Sequence, residues 1–275
     1  MNAPRQAMSD IDRTLQWATG ALNSRRGEDA ERLAREVLAQ VPQHATALHI
    51  LGCALLLRGR AAEAIVPLEK AARARQDPAI ETQLAIALRQ TGRADDALAR
   101  VTRAAKRRPA HAEAFHELGF QLFTRQRPDD AIAAIEHGLE AQPRSVDLWV
   151  LLGGVHKAQR ERAKAKAAFA RALAIAADHA AAHYGMGDVL IDDGEFASAA
   201  DHLQRALAAT PGDVQAQLKL AVSLLELGRG DDALGHMRAA VRGDTRFYGS
   251  ALKLVSSAGH GRFWLRPSTA KKLLT

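Results

Sequence analysis

Residues 146–179 read VDLWVLLGGVHKAQRERAKAKAAFARALAIAADH. The stretch carries Trp149, then Leu152-Gly153, then Ala165, Phe169 and Ala172. It is one copy of a recurring unit. Stepping away from Ala165 in both directions finds Ala30, Ala64, Ala97, Ala131, Ala199 and Ala233, with gaps of 34, 33, 34, 34, 34 and 34 residues along the series. Stepping away from Gly153 finds Ala18, Gly52, Ala85, Gly119, Gly187 and Ala221, with the same gaps. Pro42, Pro109, Pro143 and Pro211 are separated by 67, 34 and 68 residues, again one or two steps with one residue missing early. Three residue series that share a single deletion establish an internal repeat, which outranks any residue-by-residue reading of the fold.

Unit starts fall at Ile11, Ala45, Pro78, Ala112, Val146, Ala180 and Val214. The expected organisation is a flexible N-terminus over 1–10, seven units over 11–247, and a capping helix with a basic, aromatic tail over 248–275. Each unit reads as two helices. In the second, Leu48, Leu51, Gly52 and Leu55 follow the i, i+3, i+4, i+7 spacing of an amphipathic helix. Gly59, Gly92, Gly194 and Gly228 end the first helix of their units, where a left-handed residue is needed. In the first unit the nearest glycine, Gly27, comes two positions late. The second helices open on acidic pairs such as Asp95-Asp96 and Asp129-Asp130, which complement a helix N-terminus. Pro67 inside a second helix, with the one-residue deletion just after it, predicts irregular stacking or a hinge between the second and third units.

The pattern resembles the tetratricopeptide repeat family. The resemblance rests on Trp149, Leu152-Gly153, Ala165, Phe169 and Ala172. It rests equally on Phe115, Leu118-Gly119, Leu122, Ala131, Ile135 and Pro143, and on Met186-Gly187, Leu190, Ala199, Ala206 and Pro211. Ala177 and Thr245 stand where a final proline is usual, and Glu81 where a large residue is. The resemblance implies an all-α fold: an α-solenoid, a right-handed superhelix of antiparallel helix pairs. Its first helices would line a concave groove that binds a protein partner as a peptide or helix.

Carried onto this sequence, the family's groove positions fall on His49, Ile50, Cys53, Leu57, Gln83, Ile86, Arg89, His116, Glu117, Phe120 and Phe123 in the first half. In the second half they fall on Val150, Lys157, Tyr184, Asp188, Asp192, Lys219 and Glu226. A contiguous strip of exposed apolar side chains marks a partner site, although some of these residues are expected to pack between adjacent first helices instead. The family's carboxylate-clamp mode needs a basic residue at the fifth position. That position here reads Leu15, His49, Thr82, His116, Val150, Tyr184 and Leu218, so clamp binding is not expected. Asp188, Asp192 and Glu226 form either an acidic spot for a basic peptide or a rim balanced by Lys219.

No pattern argues for catalysis. Gly185-Met-Gly187 and Gly259-His-Gly261 are fragments of phosphate-loop motifs without the strand-to-helix context. His179 and His183 have a metal-compatible i, i+4 spacing, but His44, His111 and His179 recur at the end of a unit, so the repeat explains them and no metal is expected. Cys53 reads as a small packed residue, with thiol reactivity beside His49 as the alternative.

Composition agrees. The chain of 275 residues is 47% hydrophobic, with 58 alanines, 34 leucines and only 12 aromatics. That excludes disorder and disfavours β-sheet architectures. A single cysteine excludes a disulfide scaffold. No apolar run is long enough to span a membrane, and the first residues lack a signal-peptide core, so a cytoplasmic location is expected. From Arg238 onward there are eight Lys and Arg against Asp244, which is +7; the preceding 237 residues hold 30 basic and 30 acidic side chains. The net charge therefore belongs to the C-terminal end, where Arg262, Phe263, Trp264 and Arg266 form a candidate docking segment, with folding back onto the cap as the competing role.

The expected function is a non-enzymatic scaffold or adaptor, with no cofactor, no metal and no small-molecule substrate. Self-association is left open. Two alternatives stand beside it: a substrate-recruiting subunit for a separate modifying enzyme of the transferase class, and binding of an anionic surface or nucleic acid through the basic tail.

Overall fold

The computed structural model describes residues 3–257, and every element among them is helical. It divides into two compact units, residues 1–143 and 144–275. The first holds α1 (Ala3–Asn23), α2 (Gly27–Gln40), α3 (Ala45–Leu57), α4 (Ala61–Ala74), α5 (Pro78–Gln90), α6 (Ala94–Ala105), α7 (Ala112–Thr124) and α8 (Pro128–Ala141). The second holds α9 (Val146–Ala158), α10 (Arg162–Ile175), α11 (Ala180–Asp192), α12 (Phe196–Ala209), α13 (Val214–Glu226) and α14 (Gly230–Gly243). A 3-10 turn (Thr245–Phe247) and α15 (Tyr248–Ser257) follow. Within each unit every odd helix packs on the even helix that follows it, and each even helix packs on the next odd one. Successive odd helices also touch: α1, α3, α5 and α7 in the first unit, α9, α11 and α13 in the second. This is an all-α solenoid of antiparallel helix pairs.

The turn inside each pair is the same seven times. One residue takes a left-handed conformation, and the next residue's N–H donates to the carbonyl five residues back to close the helix. Arg60 N to Leu55 O (2.8 Å) and Arg229 N to Leu224 O (2.8 Å) are two of these bonds. Glycine supplies the left-handed residue at Gly59, Gly92, Gly194 and Gly228, and Arg25, Gln126 and Arg160 supply it in the other three pairs, at φ 55°, 60° and 62°. The first pair therefore turns at Arg25, in register with the rest, and Gly27 instead opens α2 in close contact with Leu57 and Arg58. The residue after the turn is a second recurrent device. Arg26, Arg60, Arg93, Arg127 and Arg229 each pair with the acid three residues on. In the fifth pair the polarity is reversed, with Glu161 pairing with Lys164.

The recurrent small residues have a steric cause. A Cβ on Gly52 would lie 2.4 Å from Leu68, and one on Gly187 would lie 2.7 Å from Leu203. The Phe169 ring is wedged between two glycines: a Cβ on Gly153 would lie 2.7 Å from it, and one on Gly185 2.4 Å. α4, α10 and α12 thus each insert a large side chain where a first helix has no Cβ. The cores are correspondingly aliphatic, with Leu55, Leu68, Leu84 and Ile135 fully buried in the first unit and Leu148, Leu203, Leu220 and Met237 in the second.

Polar residues at the fourth position of a unit are also accounted for. Glu81 receives Arg100 Nη1 at 3.1 Å, His183 faces His202, and Gln217 Oε1 meets His236 Nδ1 at 2.6 Å. All three pairs span 19 residues, from the fourth position to the 23rd of the same unit. A polar side chain is tolerated there because its own second helix supplies the partner.

The segment before Ile11 is helical from Ala3; its alanine, glutamine and methionine favour helix, and Pro4 sits in the first turn, where proline is tolerated. α4 runs unbroken through Pro67, so the cost is confined to that residue's missing N–H. The deletion is absorbed in the three-residue connection Arg75–Asp77, and α5 packs against both α3 and α4. At the C-terminal side, Phe247 and Tyr248 pack against the core of the second unit, and Ala251 is fully buried in α15, which contacts α14.

Candidate partner-binding faces

In the first unit the face shared by α3, α5 and α7 carries half-buried His49, Cys53, Gln83, Ile86, Arg89, His116, Phe120 and Phe123, with Leu57 exposed at the end of α3. Two polar links tie adjacent first helices beneath it. Gln83 Nε2 donates to Glu113 Oε1 at 2.6 Å. Arg89 Nε donates to Glu117 Oε1 at 2.6 Å, and its guanidinium stands 4.9 Å over the Phe120 ring. Glu117 is buried and also accepts from Gln121 Nε2 at 2.8 Å. This arginine is held by a carboxylate below and an aromatic face beside it, which leaves an apolar strip of Ile86, Phe120 and Phe123 with little free charge. Burial pushes the Cys53 thiol up to about 12 and holds His49 below the ordinary histidine range. The thiolate needed for nucleophilic chemistry is thus suppressed.

In the second unit the first helices are joined by one ion-paired ladder. Asp188 of α11 is buried and lies 2.5 Å from Lys157 Nζ of α9 and 2.5 Å from Lys219 Nζ of α13. Asp192 adds a longer contact to Lys157 at 3.7 Å. Burial alone would raise the Asp188 carboxyl, but the two lysines outweigh it and hold it below the usual range. Burial likewise opposes the charge on Lys157, and Asp188 and Asp192 reverse that. Beside the ladder, half-buried Tyr184 is pushed up to about 12, first by burial and then by Asp188 and Asp213. Val150 is half-buried, and Glu226 is exposed at the end of α13.

Two placements differ from the sequence reading. Ile50 is 4% exposed and belongs to the core between helices, because the first helices lie close enough to cover it. Asp188 is not open to a basic peptide, since both neighbouring first helices already supply a lysine. His179 and His183 take separate structural roles: His179 Nδ1 accepts from Ala182 N as the cap of α11, while His183 is engaged through both ring nitrogens. Arg262, Phe263, Trp264 and Arg266 lie outside the described residues. The inter-helix links were missed in the sequence, although their signal is present: Lys157, Asp188 and Lys219 occupy the twelfth, ninth and sixth positions of successive units. A descent of three positions per unit joins side chains on adjacent, offset first helices.

Comparisons with known proteins agree with this architecture. The sequence profile described as tetratricopeptide repeat matches residues 15–79, 82–119, 117–180, 155–214 and 184–246. A search of curated proteins finds no match. Among solved structures, one titled as the APC/C hetero-tetramer Cut9-Hcn1 is similar at 17% identity with a TM-score of 0.77, over 88% of this chain and 48% of that one. The chain thus spans about half the length of that protein. The human IFIT1 dimer with m7Gppp-AAAA is similar at 17% identity and TM-score 0.74, over 89% and 63% of the two chains. A tetratricopeptide repeat protein from Parabacteroides merdae is similar at 15% identity and TM-score 0.61, over 97% and 98%. At these identities the likeness is one of fold. Among the described residues no helix is long and apolar enough to cross a membrane. The repeat register, the seven equivalent turns and the profile matches together place this chain in the tetratricopeptide repeat family.

Proposed function

We propose that the chain is a non-catalytic scaffold whose first-helix faces bind a segment of a partner protein. The observation that carries this reading is the strip of Ile86, Phe120 and Phe123, left half-exposed while Arg89 is locked over Phe120 by Glu117. The polar groups around the strip are spent on joining helices, so recognition rests on apolar contact with the exposed edge of the rings. An amphipathic helix or an extended segment with spaced apolar residues suits such a face. Arg89 fixed in place costs little further entropy on binding. The second unit offers Val150 and Tyr184 beside a charge-balanced ladder, a smaller surface of the same kind.

The test uses the full chain and two separate variants, Phe120→Asp and Tyr184→Asp, each checked by thermal melting. Affinity capture identifies candidate partners, and calorimetric titration of a purified candidate follows. Loss of binding in Phe120→Asp with an unchanged melting curve supports the face of the first unit. Equal binding by wild type and both folded variants overturns the reading.

A further inference from the structure

Helix α6 is two residues short. It runs for 12 residues, while α2, α4 and α8 each run for 14. α2 and α8 stop two residues before Pro42 and Pro143, but α6 stops at Ala105, four before Pro109. Its last turn explains the early end. Arg103, Lys106, Arg107 and Arg108 crowd four like charges into six positions, and like charges a turn apart oppose helix.

The early end of α6 leaves space beside the helix that follows. A pocket of about 330 Å³ opens there, walled by Phe115 and Leu118 of α7, Ala105 of α6 and Ala134 of α8, with Lys106 and Arg108 on its rim. Arg108 also borders a second cleft of about 580 Å³, where the connection carrying Arg75 meets the one leading into α7. Arg107 Nη1 ties these two connections together by donating to the carbonyl and the side-chain oxygen of Gln76, both at 3.1 Å.

The cations of this surface are spare. Arg75 bonds to Thr46, Arg107 to Gln76 and Arg108 to a backbone oxygen. Among the described residues none of Arg75, Arg103, Lys106, Arg107 and Arg108 pairs with a carboxylate. Nearby Arg89, Arg93, Arg100, Arg125 and Arg127 all do. The carboxylate that borders the cleft, Asp77, is engaged as the cap of α5, accepting from Ala79 N at 2.9 Å. The even balance of charge over the repeats therefore hides a concentrated positive patch.

We propose that this surface docks an acidic protein segment bearing one apolar anchor. The anchor side chain enters the pocket between Phe115 and Leu118. Carboxylates on either side of it meet Lys106 and Arg108 at the rim, and Arg75 and Arg107 across the cleft. A largely apolar pocket beside cations that form no ion pair fits that chemistry. Single-stranded nucleic acid needs aromatic platforms for its bases, and the cleft has no Phe, Tyr or Trp in its lining. A membrane-binding surface needs exposed apolar side chains among its cations, and the exposed large ones of this unit, Trp17, Val41, Leu57 and Val66, lie elsewhere. The surface is separate from the first-helix face and does not depend on it.

The probe is a short fluorescein-labelled peptide of Glu and Asp around one central Phe, titrated against the full chain by anisotropy. Saturable binding is expected, weakening with salt. Arg75→Glu/Arg108→Glu is expected to lose about tenfold or more. Replacing the probe's Phe by Ala, or filling the pocket with Ala134→Phe, is expected to lose about tenfold. The same charge change elsewhere, Arg32→Glu/Arg205→Glu, is expected to stay within about twofold. Melting curves confirm that each variant folds. Absence of saturable binding by the wild type overturns the proposal. So does unchanged binding by folded Arg75→Glu/Arg108→Glu, or tighter binding of polyuridylate or phosphatidylserine vesicles than of the probe at this patch.

Discussion

Nδ1 of His183 lies 2.9 Å from Nδ1 of His202, and Nε2 of His183 lies 2.8 Å from the carbonyl oxygen of Ala177. The carbonyl can only accept, so His183 Nε2 carries a hydrogen. One hydrogen lies between the two Nδ1 atoms, with one ring donating and the other accepting, and this bond fastens α11 to α12.

A pH dependence of stability follows. Burial, then the neighbouring His183 and Arg205, hold His202 below the ordinary histidine range, with Asp201 opposing them. Burial holds His49 and His236 down as well. Below about pH 6.5 the unfolded chain takes up protons that the folded chain refuses. Stability is therefore level above that pH and falls as the pH drops toward the folded pKa values. Thermal melting between pH 8 and pH 5 checks this, and His202→Gln is expected to shallow the decline. A flat profile through pH 5.5 would falsify it.

Cys53 is expected to be inert in the native protein. With its thiol pushed up to about 12 by burial, iodoacetamide at pH 8 is expected to react at least about tenfold more slowly than with a free thiol of ordinary pKa. Chain unfolded in urea is expected to react at the ordinary rate. Equal rates for folded and unfolded chain would show the thiol to be open.

Gly185→Ala is expected to destabilise the second unit by about 1–3 kcal/mol, although alanine is the better helix former. Its Cβ would sit 2.4 Å from the ring of Phe169, which is 2% exposed and already pressed against Gly153. Phe169→Leu in the same chain is expected to recover part of the loss. Denaturant titration of both variants measures it, and additive costs would mean that the two sites do not touch.

Gln126→Gly is expected to stabilise the first unit by about 0.5–1 kcal/mol. Gln126 holds φ at 60°, which costs a non-glycine residue about 1–2 kcal/mol, partly offset by the greater freedom of glycine in the unfolded chain. Its side chain is exposed and makes no hydrogen bond that the change removes. A lower melting temperature in Gln126→Gly would refute this account of the turn.

Much of the fold was legible before any coordinates. The spacing of Ala30 through Ala233 fixed the register of the helix pairs, because a stacked pair needs a small residue wherever its neighbour's large one enters. The turns were legible where glycine marked them. They were not legible at Arg25, Gln126 and Arg160, where the local preference is overridden: the two flanking helices pack only if that residue turns left-handed. Pro67 suggested irregular stacking or a hinge, but α4 remains one helix through it. The candidate faces were legible as positions and not as environments. Nothing in the sequence alone distinguished Ile50, which is covered by neighbouring helices, from Ile86, which is half-exposed.

The sequence by itself determined the repeat length, the number of helix pairs and the family, since those depend on periodicity, and periodicity is written along the chain. Only the tertiary structure decided where charge is free. Asp188 and Glu117 read as groove acids until two lysines and an arginine from adjacent units are found on them. Arg75 and Arg108 read as members of a balanced composition until they are found lining one cleft with no carboxylate ion-paired to either. Pairing of this kind joins residues some 30 positions apart, across helices whose offset is set by packing, and no local rule of sequence encodes that offset.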